Sequence, residues 1–428
     1  MELNKTPASG TGENTSDMDI RPRMLWINCR LLHPLIGGDR LRTYHMLRRL
    51  KAEYHITYVC PRTLADGDEA LEGAAEYSDD LVTMPHHFSA RGSFAYAWGA
   101  LTNSAWGSLP FMAKRYESAE FQSWLESHAS NDEFDLIVCD YLVSSVHLFG
   151  PKWRPKAPVV VFQHNVESLI WERHAANATH PVKRWIFHRE TMLTRHLEQR
   201  CAERVAGQIT VSPEETTHFR DIRGMRNVLG DVPTGVDASY FKPAKNPEPH
   251  TLAFLGSMDW EANCQAVRAF LKNSFPSILE QFPKAKLLVI GRNPPADLRE
   301  ASAGNPSVVV TGTVPDVRPY LEQASIMILP LLVGGGTRVK VYEAMAAGLA
   351  VISTAIGVEG LPVAHGEHAF LAEMEEPFTE GVLTLLRDPE LRSSIARNGR
   401  ELVETQFSWE AAANKFSQLC RPLLEKKL

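Results

Sequence analysis

The residues best equipped for chemistry lie between 334 and 343, in the run GGGTRVKVYE. Gly334, Gly335 and Gly336 carry no side chains, so the backbone there can approach a ligand closely. Thr337 is a good N-cap type and predicts a helix starting there. The unpaired N–H groups and positive dipole end of that helix point back at the glycines and favour an anion, most naturally a phosphate. Arg338 and Lys340 add fixed positive charge. Glu343 follows about 9 Å along the helix, at ~1.5 Å per residue. That span matches a diphosphate and the hydroxyls of its ribose, and one carboxylate can accept from two vicinal hydroxyls. A glycine turn in an ordinary β-α unit would explain the glycines alone. It does not explain two cations and a carboxylate on the same small-residue helix. Arg338 and Lys340 sit about 200° apart around a helix, so one of them must belong to the loop if both are to reach one phosphate.

Two further groups stand where strands are expected to end. The apolar run 158–162 closes in Gln163, His164, Asn165 and Glu167, and polar residues at a strand's C-terminal edge suit a site. On position alone, His164 fits a loop hydrogen bond as well as a catalytic role. Residues 24–29 (MLWINC) read as a buried strand leading to Gly37, Gly38, Asp39 and Arg40 and then to a helical pattern over 41–50. A doubly wound sheet starts in this way, with its ligands where the strands end.

The remaining elements are short apolar runs. Strands are expected at 55–60, 80–84, 134–139 and 208–211. Beyond the Pro-rich polar stretch 242–250 the chain alternates again. Strands are expected at 252–255, 287–291, 307–312, 325–331, 349–354 and 368–372, with helical segments between most of them, including 263–279. The fold class is α/β, two Rossmann-like halves with C-terminal helices. The expected boundaries are a disordered tail at 1–20, an N-terminal domain at 21–243, a C-terminal domain at 244–407 and a last helix at 408–428 placed to pack back on the N-terminal domain.

Two stretches admit two readings. Residues 90–111 crowd Phe94, Tyr96, Trp98, Trp106 and Phe111 among Gly, Ser and Ala. The first reading is an amphipathic core helix and loop; the second is an apolar surface for an acceptor or a membrane. Residues 181–205 predict a long helix whose Lys183, Arg184, Arg189, Arg195, Arg200 and Arg204 form a solvated basic face. The second reading there is contact with anionic lipid or a charged acceptor.

With 428 residues, 44% hydrophobic and 22% charged, the chain has ample core for two domains. A net charge of −6 argues against bulk nucleic-acid binding. The six cysteines are scattered without a C-x-x-C pair, which favours buried free thiols in a reducing cytosol. No apolar run reaches the ~18 residues of a membrane span, so the chain is expected to be cytoplasmic, and any membrane contact peripheral, on the cytoplasmic face.

The run GGGTRVKVYEAMAAGLAVISTAIGVEG resembles the nucleotide-binding signature of retaining family-4 glycosyltransferases of the GT-B fold. FLGSMDWEANCQAV (254–267), VIGRNPP (289–295) and VTGTVPDVRPYL (310–321) are similar to family positions in the same order, and FQHNVES (162–168) and PTGVDASYF (233–241) less specifically so. The nearest subgroup is the sugar transferases of bacterial exopolysaccharide systems. The resemblance implies two Rossmann-like domains facing across a cleft, a nucleoside-diphosphate-sugar donor, a saccharide or lipid-linked saccharide acceptor, and transfer with retention. Glu343 would then hold the ribose. Gly335, Gly336 and Thr337 would bind the diphosphate through backbone N–H groups, and Gly256 and Val314 would lie beside the nucleotide. Gly37 and Gly38 would approach the diphosphate and acceptor, and His164 would lie near the reacting carbon.

The chain departs from that pattern twice. Gly335 stands where many members carry a Glu that touches the donor sugar. The loop Gly256-Ser257-Met258-Asp259-Trp260 lacks the Arg and Lys many members use on the diphosphate. Arg338 and Lys340 are the replacements expected. No D-x-D cluster is placed to bridge a diphosphate, so neither a metal nor another cofactor is expected. The alternatives are a GT-B nucleotide-sugar epimerase, which would need acid/base groups the sequence does not place, and a non-catalytic nucleotide-sugar-binding subunit. A pyridoxal-phosphate phosphorylase would need a Schiff-base lysine, and the context of Lys340 does not fit one.

Overall fold

The computed structural model describes residues 20–35, 38–89, 93–178, 180–332 and 339–425. Short Val/Ile/Leu runs, buried on both faces, pair as parallel strands because helices cover each face. The first sheet contains β1 (Arg23–Ile27), β2 (His55–Arg62), β3 (Asp80–Pro85), β4 (Leu136–Asp140), β5 (Val159–Phe162), β6 (Gly207–Thr210) and β7 (Val228–Asp231), in the order β3-β2-β1-β4-β5-β6-β7. The second contains β8 (Thr251–Leu255), β9 (Lys286–Ile290), β10 (Val308–Val310), β11 (Ile326–Leu329), β12 (Ala350–Ser353) and β13 (Phe370–Leu371), in the order β10-β9-β8-β11-β12-β13. Strand order reverses between β1 and β4, and again between β8 and β11. Loops leaving a reversal point run apart and open a crevice at the strands' C-terminal ends.

The expected strands are present within a residue or two at most ends. One strand was not anticipated: β7, in NVLGD, whose Gly230 (φ 156°) hid its period. The helix expected over 263–279 is two, Glu261–Asn273 and Phe275–Gln281, divided at Ser274 ahead of Pro276. All six cysteines are buried and free.

The core reading of residues 90–111 does not hold. A helix runs over Phe94–Trp106, capped by Ser93, and buries only Ser104. It carries no charge to mark it as a surface element, which is why its composition read as core.

The chain crosses to the second sheet after β7 and returns at residue 407. There Val236 N–H donates to the Phe407 carbonyl (2.7 Å), and Trp409 N–H to that of Val236 (3.3 Å). The last helix, Trp409–Glu425, then lies on the helix Gly38–Leu50. Its Trp409, Ala412, Phe416 and Cys420 are buried in the same core as Trp26 and Phe162 of the first sheet. Phe416 contacts both rings, with centroids 5.7 and 5.5 Å away. A Phe416→Ala variant should therefore lose about 3–5 kcal/mol of stability, with faster amide exchange in β1 and β5. Unchanged exchange in those strands would show that the last helix docks without supporting the first sheet.

Candidate functional site

The first-sheet half of the site is built on Asp140, the last residue of β4, at the reversal point. Its carboxylate is fully buried. Oδ2 accepts from Asn28 Nδ2 (2.8 Å), Thr43 Oγ1 (2.8 Å) and Trp26 Nε1 (3.2 Å). Oδ1 lies 2.6 Å from His164 Nε2. Parallel register puts Asp140 opposite Phe162, so the chain leaving β5 brings His164 back over the carboxylate. An ionised carboxylate only accepts, so Nε2 carries the proton and Nδ1 is left with its lone pair. The imidazole lies flat on Tyr141 (centroids 3.8 Å, 8° between planes), whose backbone is held at φ 69°. Burial lowers the His164 pKa against the upward pull of Asp140. A group lowered from an ordinary value near 6.5 is neutral at pH 7.

Two arginines support this arrangement. Arg42 is buried over the Phe162 ring (4.4 Å) and donates to the Val232 carbonyl (2.6 Å). Burial brings its pKa down to about 10, opposed by Asp140 and Glu215, so it stays charged and offsets Asp140. Arg30 lies 5.5 Å from the Tyr141 ring centre and pairs with Asp39 (2.8 Å) in the first turn of the helix Gly38–Leu50. Gly38 opens that helix and is exposed; a Cβ there would meet no atom of the described residues within 4 Å.

The second half is centred on Gly256, directly after β8. Lys340, on the helix Val339–Ala346, reaches across to it. Its Nζ donates to Asn263 Oδ1 (2.7 Å) and lies 5.3 Å from the Phe254 ring centre. A Cβ at Gly256 would stand 2.8 Å from Asn263 Nδ2 and 3.1 Å from Lys340 Nζ, so this approach needs glycine. Asn263 Nδ2 in turn donates to the Ser257 carbonyl (2.7 Å). Arg292, after β9, joins the same loop through Ser257 Oγ (3.0 Å) and Asp259 Oδ2 (2.9 Å). The Gly256–Trp260 loop has no cation of its own, and two arrive from other elements.

Glu343 lies one turn beyond Lys340. Its carboxylate finds no hydrogen-bond partner among the described residues, and burial pushes its pKa up to about 7 despite the opposing pull of Lys340. Tyr342 beside it is buried and stacks on Phe407 (4.5 Å, 17°). Burial raises the Tyr342 phenol, and the charge of Glu214, which belongs to the first half, adds to the rise. Val314 packs half-buried on the second core, after the left-handed turn at Gly312 (φ 70°). Among the described residues no group of three His, Cys, Asp or Glu could hold a metal ion.

Of the residues singled out from sequence, His164 and Gly38 both follow strand ends of the first sheet, and Gly256 and Lys340 meet at the second, with Glu343 one turn along the Lys340 helix. Gly37, Gly334, Gly335, Gly336, Thr337 and Arg338 lie outside the described residues. Sequence reasoning passed over Asp140, Asn263 and Arg292. Asp140 had a signal, an acid ending the apolar run LIVCD; Arg292 had one too, directly following Gly291 at the end of β9.

Residues 249–388 match the family described as Glycosyl transferases group 1. The chain is 26% identical over 223 residues to the phosphatidyl-myo-inositol mannosyltransferase of Mycolicibacterium smegmatis, covering 49% of this chain and 56% of that protein. The chain thus spans about half the length of the curated relatives it matches. The structure of sucrose-phosphate synthase from Thermosynechococcus elongatus is similar with TM-score 0.63 and 17% identity, over 95% of this chain and 100% of that one. HepE of Anabaena in complex with UDP gives TM-score 0.60 and 14% identity, over 94% and 100%. Identities this low speak to the fold, two parallel-sheet domains of the GT-B kind. Residues 249–388 thus match the model of the Glycosyl transferases group 1 family, within a chain whose two parallel-sheet domains have the GT-B fold.

Proposed function

We propose that the protein moves a sugar from a nucleoside-diphosphate sugar to an acceptor hydroxyl with retention, in bacterial cell-surface or exopolysaccharide synthesis. The observation that carries this reading is the pairing on one helix of Lys340, seated at the end of β8, with Glu343, a carboxylate lacking a donor among the described residues. A cation for a diphosphate and an acceptor for ribose hydroxyls stand one turn apart. UDP in the HepE complex and the mannosyltransferase name of the relative support the donor class. The acceptor is a saccharide or lipid-linked saccharide met at the cytoplasmic face of the inner membrane. No helix among the described residues is long and apolar enough to cross a membrane.

In the reaction the bond between the anomeric carbon and the diphosphate breaks, and negative charge grows on the leaving phosphate. Lys340, Arg338, Arg292 and the N–H groups of residues 335–337 are the groups assigned to that charge. These cations do the work a metal would do. The departing phosphate oxygen takes the acceptor's proton, and the acceptor oxygen bonds to the anomeric carbon on the same face. His164, neutral and pinned at Nε2, turns Nδ1 to a sugar hydroxyl as an acceptor and orients the donor. It is a positioning group rather than a nucleophile.

Three outcomes follow. Glu343 binds hydroxyls as a carboxylate, yet with a pKa near 7 it protonates as pH falls. Nucleoside-diphosphate affinity, measured by calorimetry, should weaken between pH 8 and 6, approaching tenfold per unit below the pKa. Glu343→Gln should bind about 10- to 100-fold more weakly and lose this slope once the ligand's own titration is subtracted; an equal slope in both proteins would refute the ribose role. Lys340→Met should lower kcat on the order of 10²-fold with a smaller change in donor KM. A change in KM alone would place Lys340 outside the transition state. Asp140→Asn can keep its three Oδ2 donors but would turn an NH₂ toward His164, forcing the proton to Nδ1. The ring's 15N shifts should report the opposite tautomer, and kcat should fall on the order of 10²-fold. An unchanged tautomer with unchanged kcat would remove Asp140 from the positioning role.

A further inference from the structure

The helix Phe94–Trp106 turns its apolar side to solvent. Phe94, Trp98, Leu101 and Ala105, spaced four, three and four residues apart, form one exposed stripe. Phe94 is 82% exposed, Trp98 58% and Trp106 83%, and the rings of Phe94 and Trp98 stack (6.1 Å, 13°). A helix with no charged residue and a solvent-facing aromatic stripe has no charge to desolvate on entering an apolar phase, whereas in water the stripe is a liability.

The helix is anchored by its root, leaving the stripe clear. Its C-terminal carbonyls at Ser104 and Gly107 accept from Arg189 (3.3 and 3.2 Å), and Phe111 N–H donates to the buried Glu190 carboxylate (2.9 Å). Arg189 and Glu190 belong to the long helix Pro181–Arg204. One turn before Arg189 on that helix lies Trp185, 48% exposed, beside Lys183 and Arg184, both exposed. Residues 181–189 hold three cations and no carboxylate. Aromatic side chains bordered by Lys and Arg match the boundary between the headgroups and acyl chains of an anionic bilayer. A protein of net charge −6 approaches such a surface favourably only with a basic face leading.

We propose that this end of the first domain, Phe94, Trp98, Leu101 and Trp106 with Trp185 and Arg184, docks onto an anionic phospholipid membrane, Lys183 joining from about 200° around the helix through its long stem. For its purpose the inference rests on the reading of a membrane-side acceptor, but the docking itself needs neither donor nor acceptor. The aromatic stripe enters the interface and the two cations meet the lipid phosphates.

The full chain is sedimented with vesicles of phosphatidylcholine and phosphatidylglycerol in equal parts, and with phosphatidylcholine alone. Wild type should partition at least tenfold better onto the mixed vesicles, with a blue-shifted tryptophan emission. Phe94→Ser/Trp98→Ser should lose at least tenfold in partition, and Lys183→Glu/Arg184→Glu should lose the part that salt screens. Both pairs are exposed, so UDP affinity should match wild type, as should the melting midpoint of the Phe94/Trp98 variant, while the other variant also gives up the Arg184 bonds to the Ala178 carbonyl (3.2 and 2.9 Å); this separates a failure of docking from a failure of the donor reading. Absence of wild-type partition would overturn the proposal, as would full partition of the Phe94/Trp98 variant. So would concentration-dependent dimerisation through these residues without vesicle binding.

Discussion

The site depends first on one buried negative charge. Asp140 is the last residue of β4, with no solvent to stabilise it, and losing one partner of such a group costs about 3–5 kcal/mol. Its neighbours are therefore fixed: an indole, an amide, a hydroxyl and an imidazole around the two oxygens, with Arg42 supplying the compensating charge. The imidazole is the member that faces outward. Satisfying the carboxylate decides which nitrogen of His164 keeps its proton, and stacking on Tyr141 decides the plane of the ring. A constraint imposed by folding thus leaves one lone pair aimed from the end of the sheet.

The second half answers with the opposite problem. Here a cation must stand where the chain provides no side chain for it. Removing a Cβ at 256 makes room for an ammonium from another helix, and Asn263 holds that ammonium while also tying down the loop. The cation and Glu343 then share a helix one turn apart, so their separation is set by helix geometry rather than by a loop. Glu343 near pH 7 is costly to keep ionised, and no described residue donates to it; under the proposed function the ribose hydroxyls would supply the donors.

How much of this could be read in the sequence follows from how local each signal is. The two sheets were legible because a strand buried on both faces is a short apolar run, and such runs punctuate the chain plainly. The helix bearing Lys340 and Glu343 was legible because its residues are neighbours in sequence. Lys340 as a partner of the Gly256 loop could be named only as a replacement, because nothing local shows that a side chain 84 positions away ends beside residue 256. Asp140 was missed for the same reason: its partners Trp26, Asn28, Thr43 and His164 come from three separate segments, and an acid ending an apolar run looks like a strand's polar edge. The aromatic helix misled for a different reason, since exposure is decided by what packs on a face and not by the face's composition.

The helix Gly38–Leu50 shows why these pieces are not independent. Its first residue lies open beside the site, Thr43 donates to Asp140, and Arg42 grips the carbonyl of Val232, where the chain leaves the first sheet. His45 lies flat on Trp409 of the last helix (5.1 Å, 10°), and burial there drives its pKa down to about 4, so it is neutral packing rather than charge. One rod therefore touches the ligand-facing end, the buried carboxylate, the crossover and the chain's final segment. A displacement of the last helix would reach Thr43 through His45, because the two are two residues apart on the same element. The position of His164 is thus set in part by a helix at the opposite end of the sequence, which enters the first half at the Val236–Ser408 bridge, where both crossings of the chain meet.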